Sequence, residues 1–365
     1  MLVSELEVAM DEQVRLRDAE LTAPAWRSGA GTRRIAVADP DEDVVTLAWR
    51  AGRTLLDRTT APAPDVLVLA ADGAPDGAAS TLRTALRLDI DARQIGDVED
   101  GLRLATSLTR TRTDARPVLA VLAAHRIDAG GRPLGSAALA LLLTPDDGVV
   151  LDAPGSGGPS GPAAGYLAGD PARVVRPNPA FSKWLGAART VPGLGDLGSL
   201  GPLVERLTMA GALRPVPDGS GPPPRLSPTP ERFAPYYSAP QHWREGPDEL
   251  ALTGMRCDLC DAPEFPPAPA CPQHGAVTPL RPVPLALTGT VFTRTRDHVF
   301  PVGGPLSMAV VDLDDGARFY GQVVPGHDVT IGDRVRLELR RMPTAAGASP
   351  RYFYKIAPEA QTHAG

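Results

Sequence analysis

The stretch "RCDLCDAPEFPPAPACPQHG" (256–275) holds every cysteine of the 365-residue chain, Cys257, Cys260 and Cys271, with His274 three residues past the last. Cys257-x2-Cys260, ten residues, then Cys271-x2-His274 makes two chelating pairs. Two residues between ligands let one tight knuckle aim both side chains at a single ion, and two knuckles complete a tetrahedron. Three thiolates and one imidazole suit zinc. Four protein ligands leave no open coordination position, so the expected metal is structural and closes a lobe too small to hold itself together. A redox CxxC would not need the second pair. His242, in "SAPQHWRE" (238–245), competes with His274 for the fourth place.

Downstream of the cluster the pattern has period two: "GTVFTRTRDHV" (289–299), "LSMAVVDL" (306–313), "ARFYGQVV" (317–324), "DRVRLELRR" (333–341) and "RYFYKIA" (351–357). Five short strands with "DDG" and "IGD" turns fit a small antiparallel barrel of the OB type. Upstream, "RPVPDGSGPPPRLSPTPERFAP" (214–235) holds neither helix nor central strand and reads as a linker.

The first half alternates helix and strand. "DEDVVTLAWRAGRTLLDR" (41–58) opens with three acids, suited to a helix N-terminus, and then shows helical spacing. "DVLVLA" (65–70), "PVLAVLAA" (117–124) and "SAALALLLT" (136–144) are continuously apolar, with a helix predicted over 99–112 and a short one over 200–213. Such strands belong to a sheet covered on both faces, hence a layered α/β domain. Residues 152–202 are rich in Gly and Pro and lose this regularity.

A net charge of −6 gives no broad nucleic-acid footprint. No apolar run reaches the ~20 residues of a membrane span. The opening "MLVSELEVAMDEQVRLRDAE" is acidic and mixed, unlike a signal peptide, so a soluble cytoplasmic protein without a membrane partner is expected. Only Lys183 and Lys355 are lysines, a bias of genome composition more than of function.

These residues carry two resemblances. "YYSAPQHWREGPDELALTGMRCDLCDAPEFPPAPACPQHG" (236–275), followed by the barrel strands, resembles the acyl-CoA-associated zinc-ribbon OB-fold family called DUF35. "AWRSGAGTRRIAVADPDEDVVTLAWRAGRTLL" (25–56), "DVLVLAAD" (65–72), "PVLAVLAAHR" (117–126), "GSAALALLL" (135–143) and "GDLGSLGPL" (195–203) are similar to thiolase-like, more narrowly hydroxymethylglutaryl-CoA-synthase-like, proteins. The resemblances imply a reduced thiolase-like α/β domain followed by a rubredoxin-like zinc ribbon and a five-stranded OB barrel. The expected boundaries are an N-terminal extension (1–24), the thiolase-like domain (25–213), the linker (214–235), a lead-in helix with the ribbon (236–280), the barrel (281–360) and a tail (361–365).

Enzymes of the thiolase superfamily attack an acyl thioester with a cysteine. The corresponding segment here is "ARQIGDVEDGLRLATSL" (92–108), with Asp97, Val98 and Glu99 where that thiol belongs. The second half of the fold shrinks to about fifty irregular residues, and no histidine lies between His125 and His242. Asp97 and Glu99 are the only substitutes, as bases, against the ordinary role of acids at a helix start. The resemblance therefore implies an accessory subunit without catalysis of its own. It would pair with an intact thiolase or ketosynthase-like protein that handles acyl-CoA or an acyl carrier protein, a CoA or phosphopantetheine thioester being the complex's ligand. Arg294, Arg296 and His298, on or past the first barrel strand, are candidates to border the substrate channel, against the reading of a solvated edge strand. Two alternatives stand beside it: an acyltransferase with a substituted nucleophile, and a single-strand nucleic-acid binder using the barrel aromatics Phe292, Phe300, Phe319, Tyr320 and Tyr352–Tyr354.

Overall fold

Runs of Leu, Val and Ala build the first sheet. The computed structural model describes residues 14–29, 34–111, 116–145, 149–150, 190–216, 221–224, 246, 248–299, 305–342 and 350–359. The chain divides into two units, one of Met1–Ala38, Arg50–Ser80 and Asp89–Pro222, the other of Asp39–Trp49, Thr81–Leu88 and Pro223–Gly365. In order, the elements are β1 (Arg15–Thr22), β2 (Trp26–Ser28), β3 (Ile35–Val37), α1 (Val44–Arg58), β4 (Val66–Ala71), α2 (Ala78–Ala85) and β5 (Asp91–Ile95). They continue with α3 (Val98–Thr111), β6 (Val118–Ile127), β7 (Pro133–Thr144), β8 (Val149–Val150), β9 (Thr190–Val191), β10 (Gly195–Asp196) and α4 (Leu200–Met209). The main sheet runs β5-β4-β6-β7-β1-β8, with β10 also on β7. Its β5, β4 and β6 are parallel, and β7 pairs antiparallel with both β6 and β1.

Every residue of β4 is buried, as its unbroken apolar run predicts. Val68, Leu122, Leu139 and Leu141 share one core with Leu102 and Ala105 of α3 and with Leu200, Leu203 and Val204 of α4. Each fully buried leucine contributes ~1.5–3 kcal/mol of transfer free energy. The fit of α3 on the sheet needs Gly101, because a Cβ there would lie 2.1 Å from the Ala70 Cβ.

One part of the sheet departs from expectation. Residues 15–22, within the predicted N-terminal extension, form β1 and hydrogen-bond along β7 from Arg15↔Thr144 to Thr22↔Ala138. A bulge between Leu16 and Asp18 breaks the alternation, so the buried positions are Leu16, Ala19, Leu21 and Thr22. Its polar residues find partners: Glu20 pairs with Arg58, and the Thr59 hydroxyl donates to Asp18 at 2.5 Å.

The second unit contains β11 (Thr253–Cys257), β12 (Pro263–Glu264), β13 (Leu280–Pro284), β14 (Thr288–Asp297), β15 (Leu306–Leu313), β16 (Arg318–Gln322), β17 (Arg334–Met342) and β18 (Arg351–Pro358). The first three form a small sheet, β12-β11-β13, and the five strands predicted by alternation form another, β16-β15-β14-β17-β18. A parallel bridge, Val323↔Ile356, links the segment after β16 to β18 at the opposite end of that order. Val291, Val311, Phe319, Val335, Leu337 and Ile356 are among its buried residues. Phe265 stacks on Phe319 with ring centroids 5.9 Å apart, which fixes the small sheet on the larger one. Two segments from the first half complete this unit. Trp49 meets Tyr354 edge-on at 5.7 Å and donates from Nε1 to the Ala85 carbonyl at 3.2 Å. Among the described residues no helix is long and apolar enough to cross a membrane.

Candidate metal centre

The knuckles follow from local backbone geometry. Cys257 ends β11, and the next turn closes through Asp261, whose N–H donates to the Cys257 carbonyl at 2.9 Å in a left-handed conformation (φ 54°). The second knuckle closes the same way, with Gly275 (φ 68°) donating to the Cys271 carbonyl at 2.8 Å. The Leu259 N–H points at Cys257 Sγ from 3.4 Å. Arg281 pairs with Asp258 at 3.2 Å, and Arg256 donates to the Asp261 carbonyl at 2.9 Å, tying the first knuckle to strands β13 and β11.

Ligand atoms of Cys257, Cys260, Cys271 and His274 all lie within 4.8 Å of one another. Cys260 Sγ is 3.7 Å from Cys271 Sγ, and His274 Nδ1 is 3.7 Å from Cys257 Sγ and 3.5 Å from Cys271 Sγ. A tetrahedral ion with metal–sulfur bonds of about 2.3 Å and a metal–nitrogen bond of about 2.0–2.1 Å requires S···S near roughly 3.8 Å and S···N near roughly 3.6 Å. The donor set therefore fits a metal such as zinc. Burial pushes the Cys271 thiol up. Backbone N–H groups of His274 and Gln273, with the His274 ring, outweigh it and bring the thiol down to about 6, favouring the thiolate a metal needs. His242, the competing ligand, lies outside the described residues.

The other predicted residues are not gathered around this centre. Asp97 caps α3, its Oδ1 accepting from the N–H groups of Glu99 at 2.8 Å and Asp100 at 3.0 Å. Glu99 pairs with Arg103 one turn on, and Asp100 with Arg103 at 3.2 Å. Both candidate bases thus have work in holding the helix start. Arg294 and Arg296 do come together. They reach the Asp328 carboxylate from 3.4 and 3.1 Å, with the Ser307 hydroxyl donating to it at 3.3 Å, all at the surface. His298 is exposed just past β14. Of the aromatics on the five-stranded sheet, Phe319 and Tyr354 are buried, whereas Tyr320 and Phe292 are exposed, Phe292 beneath the Arg318 guanidinium at 4.0 Å. Phe300 lies outside the described residues.

A second constellation escaped the sequence. Asp39, Asp41 and Glu42 approach Arg340 of β17, which Glu338 also holds at 2.6 Å, while Lys355 of β18 meets Asp41 at 2.7 Å. All of these side chains are at most 5% exposed. Asp43 caps α1, accepting from Val45 N at 3.0 Å and Thr46 N at 3.1 Å, and its other oxygen accepts from the Tyr352 hydroxyl at 2.8 Å. Burial, and then Asp43, holds the Tyr352 hydroxyl well above its usual range. The available signal was Lys355, one of only two lysines and set mid-strand in "RYFYKIA".

No protein-family model matches the chain. A DUF35 domain-containing scaffold protein of Methanocaldococcus jannaschii is 33% identical over 123 residues, covering 32% of this chain and 87% of that protein. Among solved structures, the HMG synthase of the Curacin biosynthetic pathway is 18% identical, covering 37% of this chain with a TM-score of 0.32, and this chain spans 40% of it. The Ltp2-ChsH2(DUF35) aldolase is 25% identical over 34% of this chain and 98% of that chain, with a TM-score of 0.27. A 3-oxoacyl-(acyl-carrier-protein) synthase III is 24% identical over 38% and 52%, with a TM-score of 0.31.

Proposed function

Because the chain belongs to the family of DUF35 domain-containing scaffold proteins, we propose that it is an accessory subunit of an acyl-CoA or acyl-carrier-protein condensing complex. In this reading the Cys3His cluster holds a structural zinc in a rubredoxin-like ribbon. The five strands β14 to β18 form an OB barrel, a reading supported by their order and by the parallel bridge between its ends. The first unit is a reduced thiolase-like domain whose catalytic cysteine has been lost. One observation carries the proposal: all three thiols converge on the metal cluster, while the start of α3 is capped by Asp97. A carboxylate that accepts two helix N–H bonds is a poor nucleophile, because those bonds stabilise the charge it would have to share.

The reaction, carried out by the partner, is then Claisen-type bond formation, retro-aldol cleavage or acyl transfer. Strand β5 offers a docking edge, since it ends the sheet and among described strands pairs only with β4. An exposed edge is a template for pairing with another sheet. Arg294, Arg296 and His298 would border the channel and meet the phosphates or carboxylates of a CoA or phosphopantetheine thioester.

Co-purification with an intact thiolase-fold protein, followed by single-turnover labelling with radiolabelled acyl-CoA, tests the assignment. All label should sit on the partner's cysteine and none on this chain. A substrate-derived adduct on any side chain of this protein would overturn it. R294A/R296A should raise the complex's KM for thioester without loosening the complex.

A further inference from the structure

The second knuckle leaves its histidine little reach. Only Pro272 and Gln273 separate Cys271 from His274. The turn closes directly behind them, where the Gly275 N–H donates to the Cys271 carbonyl at 2.8 Å and the two residues form an isolated bridge. Both ligands therefore start from one short piece of backbone and must meet the ion at a comparable distance from it. A cysteine presents its donor at Sγ, directly on Cβ. An imidazole offers either Nδ1, directly on Cγ, or Nε2, across the ring, and the two nitrogens face opposite ways.

The distances choose between them. Nδ1 stands 3.5 Å from Cys271 Sγ and 3.7 Å from Cys257 Sγ. Nitrogen and sulfur ligands of one tetrahedral zinc are about 3.6 Å apart. Were Nε2 the ligand, Nδ1 would lie beyond it on the far side of the ring, and the same bond lengths would hold it more than roughly 5 Å from those sulfurs. The two sulfurs belong to different knuckles, and both give the same answer.

We propose that His274 takes the metal through Nδ1 and keeps its remaining ring proton on Nε2, on the side turned away from the sulfurs. This rests on the reading of the Cys3His cluster as a zinc site and adds to it the ligating atom and the tautomer. A metal-bound histidine ordinarily donates from its other nitrogen to an oxygen. The second knuckle therefore carries a fixed N–H donor on its outer side. His274 is half-buried there, and Gln273, Gly275, Ala276 and Val277 around it are exposed, Val277 to 91%. None of these neighbours is charged, so the donor is the one polar ring group in that part of the knuckle, suited to an acceptor oxygen.

Cadmium in place of zinc makes the ligating atom visible. The full-length protein, with isotopically labelled histidine and loaded with NMR-active cadmium, is read by cadmium–proton correlation. Hε1 sits on the carbon between the two nitrogens and senses an ion on either. Hδ2 sits beside Nε2 and senses an ion bound there. Cadmium should couple to His274 Hε1 and not to Hδ2, and in the zinc protein the ring N–H should be found on Nε2. Coupling to Hδ2 as well, or a ring proton on Nδ1, would overturn the proposal and leave the zinc site standing. A protein that takes up no metal, or a cadmium coupled to no ring proton of His274, would overturn the Cys3His reading and the proposal together. Competition with a chelator gives a second arm, since oxygen also ligates zinc. H274D places an oxygen where Nδ1 stands and H274E one where Nε2 stands, so H274D should keep its zinc at a chelator concentration that strips H274E. The reverse order would likewise overturn the proposal.

Discussion

Replacing Gly101 with alanine sets two effects of opposite sign against each other. Alanine inside a helix is favoured over glycine by about 1 kcal/mol. At this position, however, the new methyl would stand 2.1 Å from the Ala70 Cβ, where ordinary contact begins at 3.4 Å. No rotamer relieves the overlap, because both groups are single methyls. Ala70 cannot retreat either, since it is paired with Ile95 of β5 on one side and Leu122 of β6 on the other. Overpacking of this kind costs about 1–3 kcal/mol, and a stiff neighbour on each side places it at the upper end. The net expectation for G101A is a loss of about 2 kcal/mol, or about 4–8 °C in the calorimetric midpoint of a unit this size. The double variant A70G/G101A moves the methyl from strand to helix. It loses about 0.5–1 kcal/mol for glycine in a strand and recovers about 1 in the helix, so it should melt within about 1 kcal/mol of the parent. A G101A midpoint equal to or above the parent's would refute the packing argument. So would a double variant no better than G101A alone.

Other perturbations reach different parts of the molecule. C260S should abolish stoichiometric zinc measured by plasma mass spectrometry, whereas H274C should retain it, because four thiolates also close a tetrahedron. R340M should lower the urea midpoint by an amount equivalent to about 3–5 kcal/mol, since it strands buried carboxylates rather than merely removing a bond. Y352F should cost about 1–2 kcal/mol in the same assay through the lost donor to Asp43. Arg334, and then Thr288, hold the Asp314 carboxyl down to about 2. The stability difference between wild type and D314N should therefore be full above pH 4 and vanish as pH falls towards 2, as followed by thermal melts.

The sequence carried local information well and distant information poorly. The Cys3His cluster was legible because each knuckle is four residues long and its chemistry admits few alternatives. The buried strands β4, β6 and β7 were legible because nothing polar interrupts them. Strand β1 was not, for two reasons: its bulge shifts the apolar positions out of alternation, and its charges are satisfied by Arg58 and Thr59 some forty residues away. Asp41, Glu42 and Asp43 were read as helix-start charges, and that holds only for Asp43. Asp39, Asp41 and Glu42 instead meet Arg340 and Lys355, a pairing across about three hundred residues that no local pattern encodes. Arg294 and Arg296 were read as lying on the first of the five alternating strands, but Asp328, which holds them, could come only from the fold.

The sharing of Asp39–Trp49 with the second unit bears on how the protein is made. A ribosome delivers this acidic strip about three hundred residues before the strands that receive it. Throughout most of synthesis the strip must stay hydrated and uncommitted, and strands β17 and β18, once released, must take up a piece of chain that emerged long before. Loop closure over such a span is slow. The late docking of the strip, rather than collapse of either sheet, should set the pace of maturation.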